Sequence, residues 1–83
     1  NIAAFPNPFV VEDGGSGLRF NFAGEGTARI FSIAGEPVCD MPVNGVWDGR
    51  NASGQPVASG VYLFTVTDSE GNIGHGKLLL IRK

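Results

Sequence analysis

Cysteine, histidine, methionine, tryptophan and tyrosine each occur only once among these 83 residues, and several function classes fall with that scarcity. One cysteine, Cys39, excludes an internal disulfide and a zinc site built on thiolates. Six basic residues against eight acidic ones leave a net charge of −2, with no electrostatic footprint for nucleic acid. No apolar run approaches the roughly 18–20 residues that a bilayer-spanning helix needs. No segment sustains a 3.6-residue apolar period, and glycine interrupts nearly every window, so no substantial helix is expected. The only histidine, His75, sits beside two glycines with no Cys or Ser nucleophile near it, which predicts a surface residue. With none of the usual sets of acid, base and nucleophile, the chain is expected to be non-catalytic and to carry no cofactor and no metal.

What is present points to strands. The chain is 42% hydrophobic and 17% charged, enough for a packed core, and its 13 glycines and 5 prolines lie between apolar runs. Leu18, Phe20 and Phe22 alternate with Arg19 and Asn21, a half-buried strand. Ala28 and Ile30 alternate with Thr27 and Arg29 in the next one, and Ala34-Gly35-Glu36-Pro37 turns the chain into an apolar run from Val38 to Val43. Asn44-Gly45, between Val43 and Val46, is a two-residue hairpin signal because both residues tolerate positive φ, which places Trp47 on the return strand. A long loop over residues 49–59 leads to the clearest strand, 60–67, and a polar turn over 68–72 precedes a last strand over 76–81. In the N-terminal arm, residues 1–11, Pro6-Asn7-Pro8 removes two ladder donors within three residues, so this arm is expected to be a bent edge segment. About seven short strands in one domain spanning 1–83 predict an all-β, immunoglobulin-like, two-sheet antiparallel β-sandwich. The absence of a signal peptide before Asn1 predicts a processed product or a piece of a longer chain.

Candidate residues fall into four groups. In the long loop, Asp48, Gly49, Asn51 and Gly54 are expected to be structural, the Asp48 carboxylate accepting backbone N–H groups of the following turn. Phe20, Trp47, Tyr62 and Phe64 are expected core aromatics, although Trp47 and Tyr62 exposed would stack on a sugar. The last two strands are apolar on both faces: Tyr62, Phe64 and Val66 share one face while Val61, Leu63, Thr65 and Thr67 share the other. In the final strand Leu78 and Leu80 oppose Lys77, Leu79, Ile81 and Lys83. A sandwich needs one apolar face per strand, so Val61, Leu63, Leu79 and Ile81 predict an outer patch covered by another domain or subunit. Asn51-Ala52-Ser53 is an N-glycosylation sequon on an exposed loop, and Asp68, Glu70 and Asn72 alternate in a turn without forming a calcium loop.

Three spaced landmarks carry a resemblance: Phe5-Pro6-Asn7-Pro8-Phe9, Ile30-Phe31-Ser32-Ile33-Ala34-Gly35-Glu36-Pro37-Val38, and Trp47-Asp48-Gly49-Arg50 leading to Gly60-Val61-Tyr62, closed by Gly76-Lys77-Leu78-Leu79-Leu80-Ile81-Arg82-Lys83. From residue 5 to 83 the chain resembles the immunoglobulin-like domain of flagellar hook-capping proteins and the C-terminal sorting domain read by the type IX secretion machinery. The crossing from Val38 to Trp47 is shorter than that family's, which predicts a short or missing strand in that corner. The resemblance implies a module of a secreted bacterial protein at the cell surface or outside the cell. It also implies protein partners, and Pro6, Asn7, Pro8 and the 76–83 strand as recognised elements. Two alternatives stand beside it: a homo-oligomeric filament subunit built by strand exchange, and a carbohydrate-binding module.

Overall fold

The computed structural model describes residues 2–12, 15, 17–22 and 24–82, and these form a small β-sandwich with seven strands and no helix among them. Among the described residues, no helix is long and apolar enough to cross a membrane. The strands are β1 (Ala4–Phe5), β2 (Phe9–Val11), β3 (Arg19–Phe20), β4 (Gly26–Ser32), β5 (Pro37–Pro42), β6 (Gly60–Asp68) and β7 (Ile73–Arg82). The larger sheet has the order β2-β7-β6-β4-β5, and the smaller one is the pair β1-β3, extended by a bridge between Leu18 and Trp47.

Period-2 alternation decides which side chains meet between the sheets. Ala28 and Ile30 of β4, Tyr62, Phe64 and Val66 of β6, and Leu78 and Leu80 of β7 are all buried and share one core with Leu18, Phe20 and Trp47. Fully burying side chains of this size stabilises by about 1.5–3 kcal/mol each. On β7 the inner positions 74 and 76 are glycines: a Cβ at Gly76 would stand 2.6 Å from the Phe64 ring, and one at Gly74 would stand 2.5 Å from Ile2. The rings of Phe64 and Phe20 meet edge to face at 5.0 Å, so glycine here makes room for an aromatic pair.

The N-terminal arm behaves as its prolines require. It enters the small sheet as β1, bends at residues 6–8, and joins the edge of the large sheet as β2. That second pairing is parallel, Phe9 facing Leu80 and Val11 facing Arg82, where an all-antiparallel sandwich was expected. The reason is topological: the arm and β7 reach this edge from the same end, so a tight hairpin between them is impossible.

Two further expectations are corrected. Asn44-Gly45 does form a turn, closed by the Gly45 N–H donating to Pro42 O, but neither residue has positive φ. The chain leaves this turn for the opposite sheet rather than returning beside β5, and Trp47 exchanges both backbone hydrogen bonds with Leu18. Asn44 works through its side chain instead, its Nδ2 donating to Gly24 O at 2.9 Å. The strand expected over 18–22 is likewise reduced to Arg19–Phe20 plus the Leu18 bridge. The small sheet is thus the thin layer of the sandwich.

Candidate interaction surface

The loop after Trp47 is held by backbone bonds from inside and from outside. Asp48 Oδ1 accepts the Arg50 N–H at 3.1 Å, and Asn51 Oδ1 accepts the N–H groups of Ser53 and Gln55, each at 2.9 Å. Short polar side chains can replace water for backbone groups that no ladder satisfies. Gly49 is buried with φ of 81°, and a Cβ there would stand 3.1 Å from both Arg82 and Val11, so glycine is required on two counts. Gly54 also has positive φ, in open space. The Trp47 indole N–H donates to Arg50 O at 2.8 Å. Asn51 therefore spends its carbonyl oxygen on the loop, with its side-chain nitrogen left as the sequon position.

Arg82 fastens this loop to the end of β7. Its Nε donates to Val57 O at 2.7 Å and its Nη2 to Gly49 O at 2.6 Å, while its backbone N–H donates to Ser59 Oγ at 2.8 Å. Sequence reasoning passed over Arg82, though a signal existed. It continues the inward parity of Leu78 and Leu80, where an arginine must find carbonyl partners.

Phe20, Trp47, Tyr62 and Phe64 lie in the core, with Trp47 3% and Tyr62 8% exposed, so neither ring offers a face to a sugar. Trp47 stands 6.0 Å from both Phe9 and Tyr62, and the Tyr62 hydroxyl donates to Ala58 O four residues upstream, the corner bond found in immunoglobulin-like sandwiches. Cys39 packs partly buried against the same core, and burial, with Asp40 and Asp48 nearby, pushes its thiol up, away from the reactive thiolate. Asp68 is tied up in its own turn: its carboxylate accepts from Asn72 Nδ2 and from the backbone N–H groups of Asn72 and Glu70. Those bonds, the Asn72 side chain first, hold its carboxyl below the usual aspartate range. Among the described residues, no group of three His, Cys, Asp or Glu side chains could hold a metal ion.

The outward face of the large sheet carries a cluster of exposed apolar side chains. Val61 pairs directly with Leu79, and Leu63 with Lys77, on the exposed side of the sheet. Val61, Leu63, Leu79 and Ile81 are each 37–40% exposed. Register adds two residues that sequence reasoning had not grouped with them, since Phe31 pairs with Leu63 and Val10 with Ile81. Parity along a single strand cannot reveal such neighbours; they emerge only when the register across four strands is known. Lys83, expected on this face, lies outside the described residues.

Pro6, Asn7 and Pro8 border the same surface. Asn7 Oδ1 accepts the Leu79 N–H at 3.0 Å, and its Nδ2 donates to Lys77 O at 3.4 Å. In a parallel ladder one residue bonds to the N–H and the C=O of the two residues flanking its partner. Phe9 faces Leu80, so the position two residues earlier faces Leu78, and the side-chain amide of Asn7 fills the backbone's role there. A groove of about 190 Å³ lies beside it, lined by Asn7, Val61, Lys77, Leu78 and Leu79.

No family model matches this sequence, and no curated protein matches it. In fold, the chain is similar to part of a solved structure of PorZ, described as an essential bacterial surface component of the type-IX secretion system of Porphyromonas gingivalis. The TM-score is 0.76 at 24% identity, over 98% of this chain and 11% of that much longer one. At that identity the likeness establishes the shared sandwich.

Proposed function

We propose that this chain is a non-catalytic attachment module of a secreted bacterial surface protein, a sorting domain of the type IX kind that folds as a single unit. Its recognised elements are Pro6-Asn7-Pro8 and the β7 strand. One observation carries the reading: Asn7 bonds to β7 across 70 and 72 residues of sequence, so the first and the last of the motifs that carry the resemblance adjoin on one surface. The outer patch of Val61, Leu63, Leu79 and Ile81 adjoins it, and an exposed apolar patch of this kind marks a place where another protein is held. The likeness in fold to part of a type IX surface component supports the same reading. The oxygens of Asp48 and Asn51 that are spent on loop backbone, and a thiol kept protonated, support a role without chemistry.

The test fuses the chain to the end of a fluorescent reporter in a bacterium that has this secretion machinery. The reporter is expected at the cell surface or in the medium, and to stay in the periplasm when the machinery is deleted. Asn7→Ala and the double variant Leu79→Thr, Ile81→Thr should fold, by circular dichroism, and yet reduce display. Equal display of all variants, or display independent of the machinery, overturns the reading. A strand-exchanged filament is the competing possibility, favoured by an arm that straddles both sheets through only five strand residues. It requires ordered fibres from the purified chain, and a monodisperse monomer counts against it.

A further inference from the structure

We propose that the edge of β7 over residues 73–77 is a strand-acceptor site. Its occupant is an extended segment of a partner polypeptide with acidic side chains at alternate positions. This deepens the attachment reading by stating how the partner is held, and its test uses purified protein alone, so the two can fail separately.

Alternation along β7 fixes which backbone groups face the edge. The Arg82 N–H turns toward Ser59 on the β6 side, whereas the Leu79 N–H turns the other way, to Asn7. Odd-numbered residues therefore present their N–H and C=O groups to the β2 side. β2 covers that side only at Leu80–Arg82, and the Asn7 amide covers Lys77 O and Leu79 N. Ile73 and His75, with the Lys77 N–H, have no backbone partner on that side among the described residues. Extended backbone is the group whose spacing satisfies such a row in register.

The side chains beside this row define the partner. On the outer face stand Ile73, 70% exposed, then His75 and Lys77. The ion pairs among the described residues are Arg29 with Asp40 and Arg50 with Asp48, which leaves Lys77 in none. Alternate residues of an added strand lie on that same outer face, so acidic residues there meet Lys77 and stand beside the His75 imidazole. Among the described residues, the inner side of the edge carries Gly74 and Gly76, with Ile2 beside both. Natural sheets defend an edge they keep free with charge, proline or a bulge; this stretch has no proline and no bulge, and Lys77 is its one fixed charge.

The test uses an acetylated, amidated peptide of seven residues that alternates glutamate and valine, titrated into the isotopically labelled chain. The amides of Ile73 and His75 should shift first and gain protection from hydrogen exchange. Replacing the peptide's glutamates with lysine should weaken binding about fivefold or more, and N-methylation of alternate peptide nitrogens should abolish it on one register only. Three outcomes overturn the proposal: no binding at millimolar peptide, equal binding of the glutamate and lysine peptides, or shifts confined to Val61, Leu63 and Ile81. Protection of Ile73 and His75 in a sedimenting dimer without peptide also overturns it, and assigns the edge to a second copy.

Discussion

The two long edges of the five-stranded sheet are built on opposite plans. At the β5 edge, prolines stand at both ends of the strand, and Val38 O, which faces outward, is taken by the Ala52 N–H at 3.0 Å. Val43 donates to Gly26 O on the β4 side, so the alternate position 42 faces out, and a proline there offers no donor. Asp40, paired with Arg29 at 3.6 Å, adds charge in the middle. At the other edge, closure is borrowed: a three-residue parallel strand at one end of β7, one asparagine amide in the middle and, among the described residues, no strand over residues 73–76. One edge is shut by its own prolines and charge with one bond from Ala52, while the other is shut only as far as the N-terminal arm reaches. Covalent devices cannot be displaced by a competing strand, whereas hydrogen-bonded ones can.

The comparison breaks most completely if β7 loses the ring beneath it. Phe64→Ala removes a side chain that is 1% exposed and that packs under Gly76 and against Phe20, at a cost of about 3–5 kcal/mol. Urea denaturation is the measure, and a loss under 1 kcal/mol would mean that the aromatic pair does not support the edge. Arg82→Ala comes next. Bonds from a charged donor to two loop carbonyls are worth about 1.5–3 kcal/mol together with the packing that they hold, and the loss should appear as faster hydrogen exchange at Val57, whose N–H donates to Gly49 O. Unchanged exchange there would sever the loop from the closed end of β7. Asn7→Ala should cost about 0.5–1.5 kcal/mol and raise the exchange of the Leu79 amide selectively, because its two bonds are exposed and one is long. A protected Leu79 amide in that variant would show that another group closes this edge.

Alternation along β6 and β7 was legible in the sequence because burial there follows parity residue by residue, from Tyr62 to Val66 and from Leu78 to Leu80. The bent arm was legible for the same kind of local reason: proline removes a donor wherever it stands. What escaped was everything decided by distant partners. Asn44-Gly45 fits a hairpin locally, but the bond from Asn44 to Gly24 and the pairing of Trp47 with Leu18 send the chain to the other sheet. Nothing within five residues of Asn7 indicates that its side chain will act as backbone opposite Leu78, since that depends on the parallel register of β2. Arg82 is similar, its partners lying 25 and 33 residues away. Sequence patterns report the face of a strand, and topology decides what each edge meets.

Pro42→Ala tests the closed edge. It restores an outward donor at a surface site, so stability should change by no more than about 0.5 kcal/mol, while association at high concentration rises, read by sedimentation velocity. A variant that stays monomeric at millimolar concentration would show that Asp40 and the Ala52 contact close β5 without help from proline.

The smallest effect concerns the turn from which the open edge begins. Asp68 holds the β6–β7 connection through bonds to Glu70 and Asn72, and these favour its charged form and hold its carboxyl below the usual range. A carboxyl depressed in the folded state contributes stability that is fully present above the unfolded value. That contribution is lost as pH falls through the folded value, because the unfolded chain takes up the proton first. Lowering the pH below the ordinary aspartate range should therefore loosen the turn, and the amide of Ile73, the first residue of β7, should exchange faster relative to that of Leu79. In Asp68→Ala that pH dependence should vanish and Ile73 should exchange fast throughout. If instead the Asp68→Ala and parent chains share one acid profile at Ile73, the turn does not set where the edge starts, and the contrast between the two edges must rest on the N-terminal arm alone.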